Sequence, residues 1–210
     1  MQQTVFTIGH STHEQEHFVK LLSQHGITAV GDVRSKPFSR VNPQFNRNEL
    51  NNALREHGIK YIFLGKELGA RTDDRTCYKD GKVQYDLLAR TTLFRNGLAR
   101  IQDGIEKGFR IALMCAEKEP LECHRTILVS RHLAKAGLQI THIHADGKLE
   151  TQADALKRLA FMLNLTQGEI FDKTDEAFAD VYRRQEERIA YKANNAVEPV
   201  ETQRVGSATE

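Results

Sequence analysis

Residues 111–125 read IALMCAEKEPLECHR, and the order of residue types in this stretch decides the fold. Five apolar residues in succession, Ile111 to Cys115, stop at a polar loop dense in charge. A strand with one wet face alternates apolar and polar side chains, whereas an unbroken apolar run fits a central strand covered on both faces. The chain then passes Cys123-His124-Arg125 into residues 126–136, where Ile127, Leu128, Leu133 and Ala134 recur at helical spacing. Strand, polar loop and helix in that order make half of a βαβ unit.

The same succession recurs on either side. Residues 5–8, 27–33, 59–64 and 139–143 read as strands, and residues 14–25, 48–57 and 85–107 as helices, the last with a break expected at Gly97. The alternation predicts an α/β fold, a mostly parallel sheet of about five strands flanked by helices. Residues 152–163 add an amphipathic helix carrying Leu156, Leu159, Ala160 and Leu163. We therefore expect an α/β domain over residues 1–165 and a charged C-terminal helical extension over residues 166–194, with Phe178, Val181, Tyr182 and Ile189 as its apolar positions. Residues 195–210 are polar and aperiodic and are expected to be a disordered tail.

The bulk properties narrow the class further. A chain of 210 residues supports one sizeable core. Neither an apolar run of bilayer length nor a basic segment leading into an apolar one occurs, so the expectation is a cytoplasmic protein with no membrane association. The three cysteines, Cys77, Cys115 and Cys123, are expected to be thiols, since a chain of this size folds without disulfides. Net charge is only +2, but between Arg34 and Arg71 eight Lys/Arg face three acids, leaving that stretch at +5. Such runs are commonly solvated faces; if the loops converge, the stretch becomes a surface for phosphate groups.

The distinctive polar residues follow the strands. Gly9-His10-Ser11-Thr12 comes after the first, with Ser11 or Thr12 placed to cap the next helix. Asp32 to Pro37 follows the second, Leu64 to Arg71 the third, and Cys115 to Arg125 the fourth. All C-termini of a parallel sheet lie at one edge, where open α/β folds bind ligands, so the four loops should line one cleft.

The segments TIGHST, DVRSKPFS, GIKYIFLGKELGAR and MCAEKEPLECHR together resemble the family catalogued as domain of unknown function 488, over roughly residues 4–150. The resemblance implies a compact, cytoplasmic α/β domain of bacterial type and no particular reaction or cofactor. It carries over Gly9, His10, Ser11, Asp32, Arg34, Ser35, Pro37, Gly65, Leu68, Gly69, Arg71, Cys115, Glu117, Cys123, His124 and Arg125, all present here.

Three chemistries compete for these residues. A phosphatase-like cysteine loop is short and glycine-bearing; here nine residues including Pro120 and no glycine separate Cys115 from Arg125, which speaks against it. Cys115, Cys123 and His124 are donors suited to zinc or iron. There is no C-x-x-C pair, however, and a histidine directly after a cysteine is expected to point elsewhere, so no metal is assigned. The favoured reading is acid–base or nucleophilic chemistry by Asp32, Glu117, Cys123 and His124, beside an anion clamp of Arg34, Arg71 and Arg125. Gly9, His10, Ser11, Ser35, Gly69 and Cys115 complete the expected substrate contacts. The expected partner is a phosphate-bearing small molecule or a nucleic acid, the cofactor is unknown, and a second copy of the chain is a further expected partner through the charged helix. The expected activity is that of a hydrolase or transferase; the alternative is a non-catalytic nucleotide or nucleic-acid binding module.

Overall fold

The computed structural model describes residues 3–165 and 178–193. Its elements run β1 (Thr4–Gly9), α1 (Gln15–Gln24), β2 (Ala29–Asp32), α2 (Arg47–Glu56), β3 (Lys60–Phe63) and the single turn α3 (Gly65–Leu68). A short ribbon of β4 (Tyr78–Lys79) and β5 (Lys82–Val83) precedes α4 (Tyr85–Ala89), α5 (Thr92–Glu106) and β6 (Ile111–Cys115). A wide π-helical turn, Arg125–Ser130, leads into α6 (Arg131–Lys135), followed by β7 (Gln139–Ile143), β8 (Leu149–Thr151), α7 (Gln152–Met162) and α8 (Ala179–Ile189).

The main sheet has six strands in the order β3-β2-β6-β1-β7-β8, one more than the expected five. All its pairings are parallel except that of β8, a three-residue strand that pairs antiparallel with β7. β8 was hard to foresee because Leu149 and Thr151 are exposed, so the strand has little apolar pattern. Within β6 the unbroken apolar run splits by parity. Ile111, Leu113 and Cys115 pack with Phe94, Ile101, Ile127 and Leu133, while Ala112 and Met114 pack with Phe18, Leu22, Leu50 and Leu54. Helices α1 and α2 thus cover one face, and α5 to α8 the other. The connection after β2 runs to one face and the connection after β6 to the opposite one, which opens a crevice beyond the ends of these neighbouring strands.

Several local expectations are corrected. The helical stretch breaks at Arg90–Thr91, where Thr91 Oγ1 accepts the Phe94 amide at 3.1 Å and starts α5. Gly97 lies inside α5, where an added Cβ would meet the Glu67 Cβ and Leu68 side chain at 2.7 Å; it is a contact glycine, not a breaker. Neither Ser11 nor Thr12 caps α1: its N-cap position is Glu14, without a side-chain cap. The described part of the C-terminal extension packs on the domain through Gln185 Nε2, which donates to the Leu121 carbonyl at 2.8 Å, and Gln152 Nε2, which meets the Tyr182 hydroxyl at 3.0 Å. The expected tail and the first part of the extension lie outside the described residues. No helix among the described residues is long and apolar enough to cross a membrane.

His142 is fully buried in β7, its Nδ1 2.8 Å from Thr7 Oγ1. Burial, followed by the charge of Arg125, lowers its pKa to about 3. Above pH 6.5 folded and unfolded chains both hold the neutral ring. As pH falls through that value only the unfolded chain takes up the proton, so stability declines down to about pH 3. This residue alone should remove about 2 kcal/mol at pH 5. Denaturant midpoints for wild type and His142→Asn between pH 7 and 5 check this; parallel pH curves would show that His142 contributes no such slope.

Candidate functional site

The geometry is set first by a glycine. Beyond β1 the chain continues alongside β6, with the His10 amide on the Cys115 carbonyl and the Ser11 amide on the Ala116 carbonyl, both at 2.9 Å. An added Cβ at Gly9 would lie 1.9 Å from the Glu117 carbonyl oxygen, so only glycine permits this approach. Ser11 then turns in the left-handed region, φ 49°.

Arg34 projects from the end of β2 and is held from several directions. Its Nε and NH2 pair with both oxygens of Asp32 at 2.9 and 2.7 Å, NH2 also donates to the Phe45 carbonyl at 2.8 Å, and NH1 meets His10 Nε2 at 3.0 Å. Four of the five guanidinium N–H bonds are therefore committed, and one on NH1 has no partner among the described residues. His10 Nδ1 lies 2.8 Å from the Ser11 carbonyl, which fixes the proton there and leaves Nε2 to accept. Burial and then the Arg34 charge lower its pKa to about 4, so the ring is neutral. Its face stacks on Phe45, 4.4 Å between centroids. Tyr61 donates to Asp32 Oδ2 at 2.7 Å, and burial together with that carboxylate pushes its phenol well up.

The second half of the site comes from β6 and the π-helical turn. Arg125, 1% exposed, donates to the carbonyls of Glu117 (2.7 Å) and Lys118 (3.3 Å). That folds the intervening loop back and sets Cys123 and His124 beside Cys115. His124 Nε2 lies 3.1 Å from the Val33 carbonyl, and its Nδ1 faces two sulfurs, Cys115 Sγ at 3.7 Å and Cys123 Sγ at 3.8 Å. Glu117 is exposed as a residue, yet its Oε2 sits 2.9 Å from the buried Cys123 sulfur. The inward contact governs its ionisation: burial and then Cys123 raise its carboxyl. The Cys123 hydrogen bond and burial push the Cys115 thiol well up. Burial opposes the Cys123 thiolate, but the Cys115 hydrogen bond, Arg125 and His124 outweigh it and hold the thiol well below its ordinary range. Burial likewise opposes a charge on His124, and its contact with Cys123 overcomes that. All three cysteines are free thiols.

These parts meet at a cavity of about 370 Å³. Of the expected residues, Arg34, Ser35, Arg71, Cys115, Glu117 and His124 line it. Cys123 lies under this floor and Asp32 behind Arg34. Gly69 serves close packing, since a Cβ there would meet the Gly65 carbonyl oxygen and Ser35 Oγ at 2.4 Å. Three expectations change. Arg125 donates to two loop carbonyls and does not line the cavity. Asp32 is an anchor whose oxygens are taken by Arg34 and Tyr61. His124 does not point away from the cysteines, so Cys115, Glu117, Cys123 and His124 bring one donor atom each within 4.8 Å of one another. The basic stretch disperses as well: only Arg34, Lys36 and Arg71 of its eight cations reach the cavity. Lys36, Tyr85, Glu122 and Tyr191 line it without having been singled out. Lys36 stood within DVRSKPFS, but nothing in the sequence tied Tyr191, beyond the C-terminal helix, to Arg71, whose guanidinium lies 4.5 Å from its ring centroid.

A doubly wound α/β domain with a cysteine–histidine–carboxylate cluster at the carboxyl edge of its sheet is the class that fold and site define. Within that class the chain belongs to the family described as domain of unknown function DUF488, whose model matches residues 14–132. No curated protein and no solved structure matches it significantly.

Removing one member of a buried ion pair leaves the other charge uncompensated. Asp32→Ala should therefore cost about 3–5 kcal/mol of stability, read from urea unfolding. A loss under about 1 kcal/mol would mean that Arg34 does not depend on this carboxylate.

Proposed function

We propose that the chain is an enzyme, a hydrolase or transferase, acting on a phosphate-bearing substrate at the carboxyl edge of the sheet. The observation that carries this reading is a juxtaposition. Lys36 and Arg71, which form no ion pair among the described residues, share one cavity with Cys115, Glu117 and His124. Cations without acidic partners hold an anion, while a thiol, an imidazole and a carboxylate at the cavity floor supply nucleophilic or acid–base chemistry.

The size of the cavity, about 370 Å³, suits a ligand on the scale of a small nucleotide. Phe38 on its lining is 69% exposed and offers a ring face to a base. A purely binding role would leave the sulfur–imidazole cluster beneath the cations without a task. Three free thiols accord with a reducing, cytoplasmic setting.

Thermal shift and calorimetry with inorganic phosphate, nucleoside mono- and triphosphates and the matching unphosphorylated nucleosides test the reading. Phosphorylated compounds should stabilise the protein and nucleosides should not. Arg71→Ala should weaken phosphate binding about tenfold or more, the worth of a charged hydrogen bond, with the fold intact. If no phosphorylated compound stabilises the wild type at millimolar concentration, or if Arg71→Ala binds as well as wild type, the reading fails.

A further inference from the structure

We propose that Cys115 Sγ, Cys123 Sγ and His124 Nδ1 form a three-point site for a divalent transition metal of the zinc class, with Glu117 beside its open position. The inference deepens the enzyme reading: it makes Cys115 and His124 metal ligands and leaves the acid–base work to Glu117, and it rests on that reading only for the substrate presented to the metal.

Four features carry it. Two sulfurs and one imidazole nitrogen are a donor set that selects zinc-like ions. Their spacing fits: Nδ1 is 3.7 Å from one sulfur and 3.8 Å from the other. Metal–sulfur bonds of about 2.3 Å and metal–nitrogen bonds of about 2.0–2.1 Å at a tetrahedral angle place S and N about 3.6 Å apart. The orientation also fits, because His124 Nε2 lies 3.1 Å from the Val33 carbonyl. That contact keeps the proton on Nε2 and turns the Nδ1 lone pair towards the sulfurs, the usual outer support of a metal-bound histidine. Finally, the Arg125 amide donates to Cys123 Sγ at 3.4 Å, holding the deepest donor in place.

The remaining position opens on the cleft, since Cys115, Glu117 and His124 line the cavity and Cys123 does not. Glu117 Oε2 is only 2.9 Å from Cys123 Sγ. Two ligands of one tetrahedral ion would stand about 3.6 Å apart, so the carboxylate sits next to the metal rather than on it. Three protein ligands with a free fourth position are the pattern of a catalytic rather than a structural ion. A non-ligand glutamate two residues after a ligand is the general acid–base of zinc deaminases. An ion held there would supply Lewis-acid activation of water; Glu117 would take that water's proton as its oxygen bonds to the substrate phosphorus, and would return it to the leaving oxygen as the old phosphorus–oxygen bond breaks.

The test uses the full chain. Elemental analysis of protein produced with zinc in the medium should give one ion per chain. Cobalt(II) added to chelator-stripped wild type should give a thiolate-to-cobalt charge-transfer band. The band should fall by about half in Cys115→Ser and in Cys123→Ser, and stay unchanged in Cys77→Ser. His124→Ala should bind the ion at least about tenfold more weakly, the lower end of what a lost outer-shell partner alone does. The wild-type spectrum decides by itself if a variant fails to fold. Absence of both a stoichiometric ion and the cobalt band in wild type overturns the site, as does a band that survives intact in both serine variants at Cys115 and Cys123. Phosphate binding to the stripped chain separates this inference from the enzyme reading. Binding without metal uptake removes the metal alone; metal uptake without binding of any phosphorylated compound removes the phosphate substrate alone.

Discussion

The interaction on which the site depends is the grip of Arg125 on two backbone carbonyls. Nine residues separate Cys115 from Arg125, enough chain to carry Cys123 and His124 far from the end of β6. The guanidinium, almost wholly removed from solvent, binds the carbonyls of Glu117 and Lys118 and draws the start of that loop onto the turn that follows it. Charge-assisted bonds to neutral acceptors contribute about 1.5–3 kcal/mol each. The loop also needs room, which Gly9 supplies by letting the Glu117 carbonyl approach where a Cβ would stand. One buried cation and one missing methyl group thus act on the same carbonyl oxygen.

Behind this loop a second network does for Arg34 what Arg125 does for the cysteines. Asp32, Tyr61, His10 and the Phe45 carbonyl each hold or orient the guanidinium or its partner, and they come from β2, β3, the end of β1 and the turn before α2. A buried ion pair of this kind adds little net stability, because desolvation offsets attraction. Its value is positional: the Asp32 carboxylate, His10 Nε2 and the Phe45 carbonyl together hold the orientation of the Arg34 guanidinium. Lys36 and Arg71, by contrast, reach the cavity from loops, and Arg71 is steadied by the Tyr191 ring rather than by an acid.

The fold was legible where the sequence is periodic. The run from Ile111 to Cys115 announced a central parallel strand, and the polar loops after each strand announced a common edge. What stayed hidden has identifiable physical reasons. β8 is short and exposed on both sides of its single half-buried residue, so it carries no apolar period. The break before Thr91 comes from a side-chain cap, a weaker mark in sequence than the glycine at position 97, which is needed for the approach of α5 to α3. Six of the expected site residues line the cavity, whereas the Arg125 guanidinium bonds loop carbonyls and the Asp32 oxygens bond Arg34 and Tyr61, because residue type reveals charge and not which partners the charge meets. His124 was expected to diverge from Cys123, as neighbours on a regular helix or strand do. It does not diverge because these two residues stand where the chain enters a π-helical turn, and widened turns re-aim side chains.

Strand parity finally explains why the cysteine that ends β6 belongs to the site at all. Side chains alternate across a sheet, so a slip of one residue would exchange the two faces. Ile111, Leu113 and Cys115 share the face covered by α5 and α6, the same face on which Ile127 and Leu133 pack. The sulfur of Cys115 is therefore delivered to the side where the π-helical turn begins, and Met114 is directed to α1 and α2. Register is fixed in turn by pairing on both flanks, Gly9 opposite Cys115 on one side and Asp32 opposite Met114 on the other. The hydrophobic core thereby selects which sulfur faces the histidine, and packing far from the cleft sets the identity of the group at its floor.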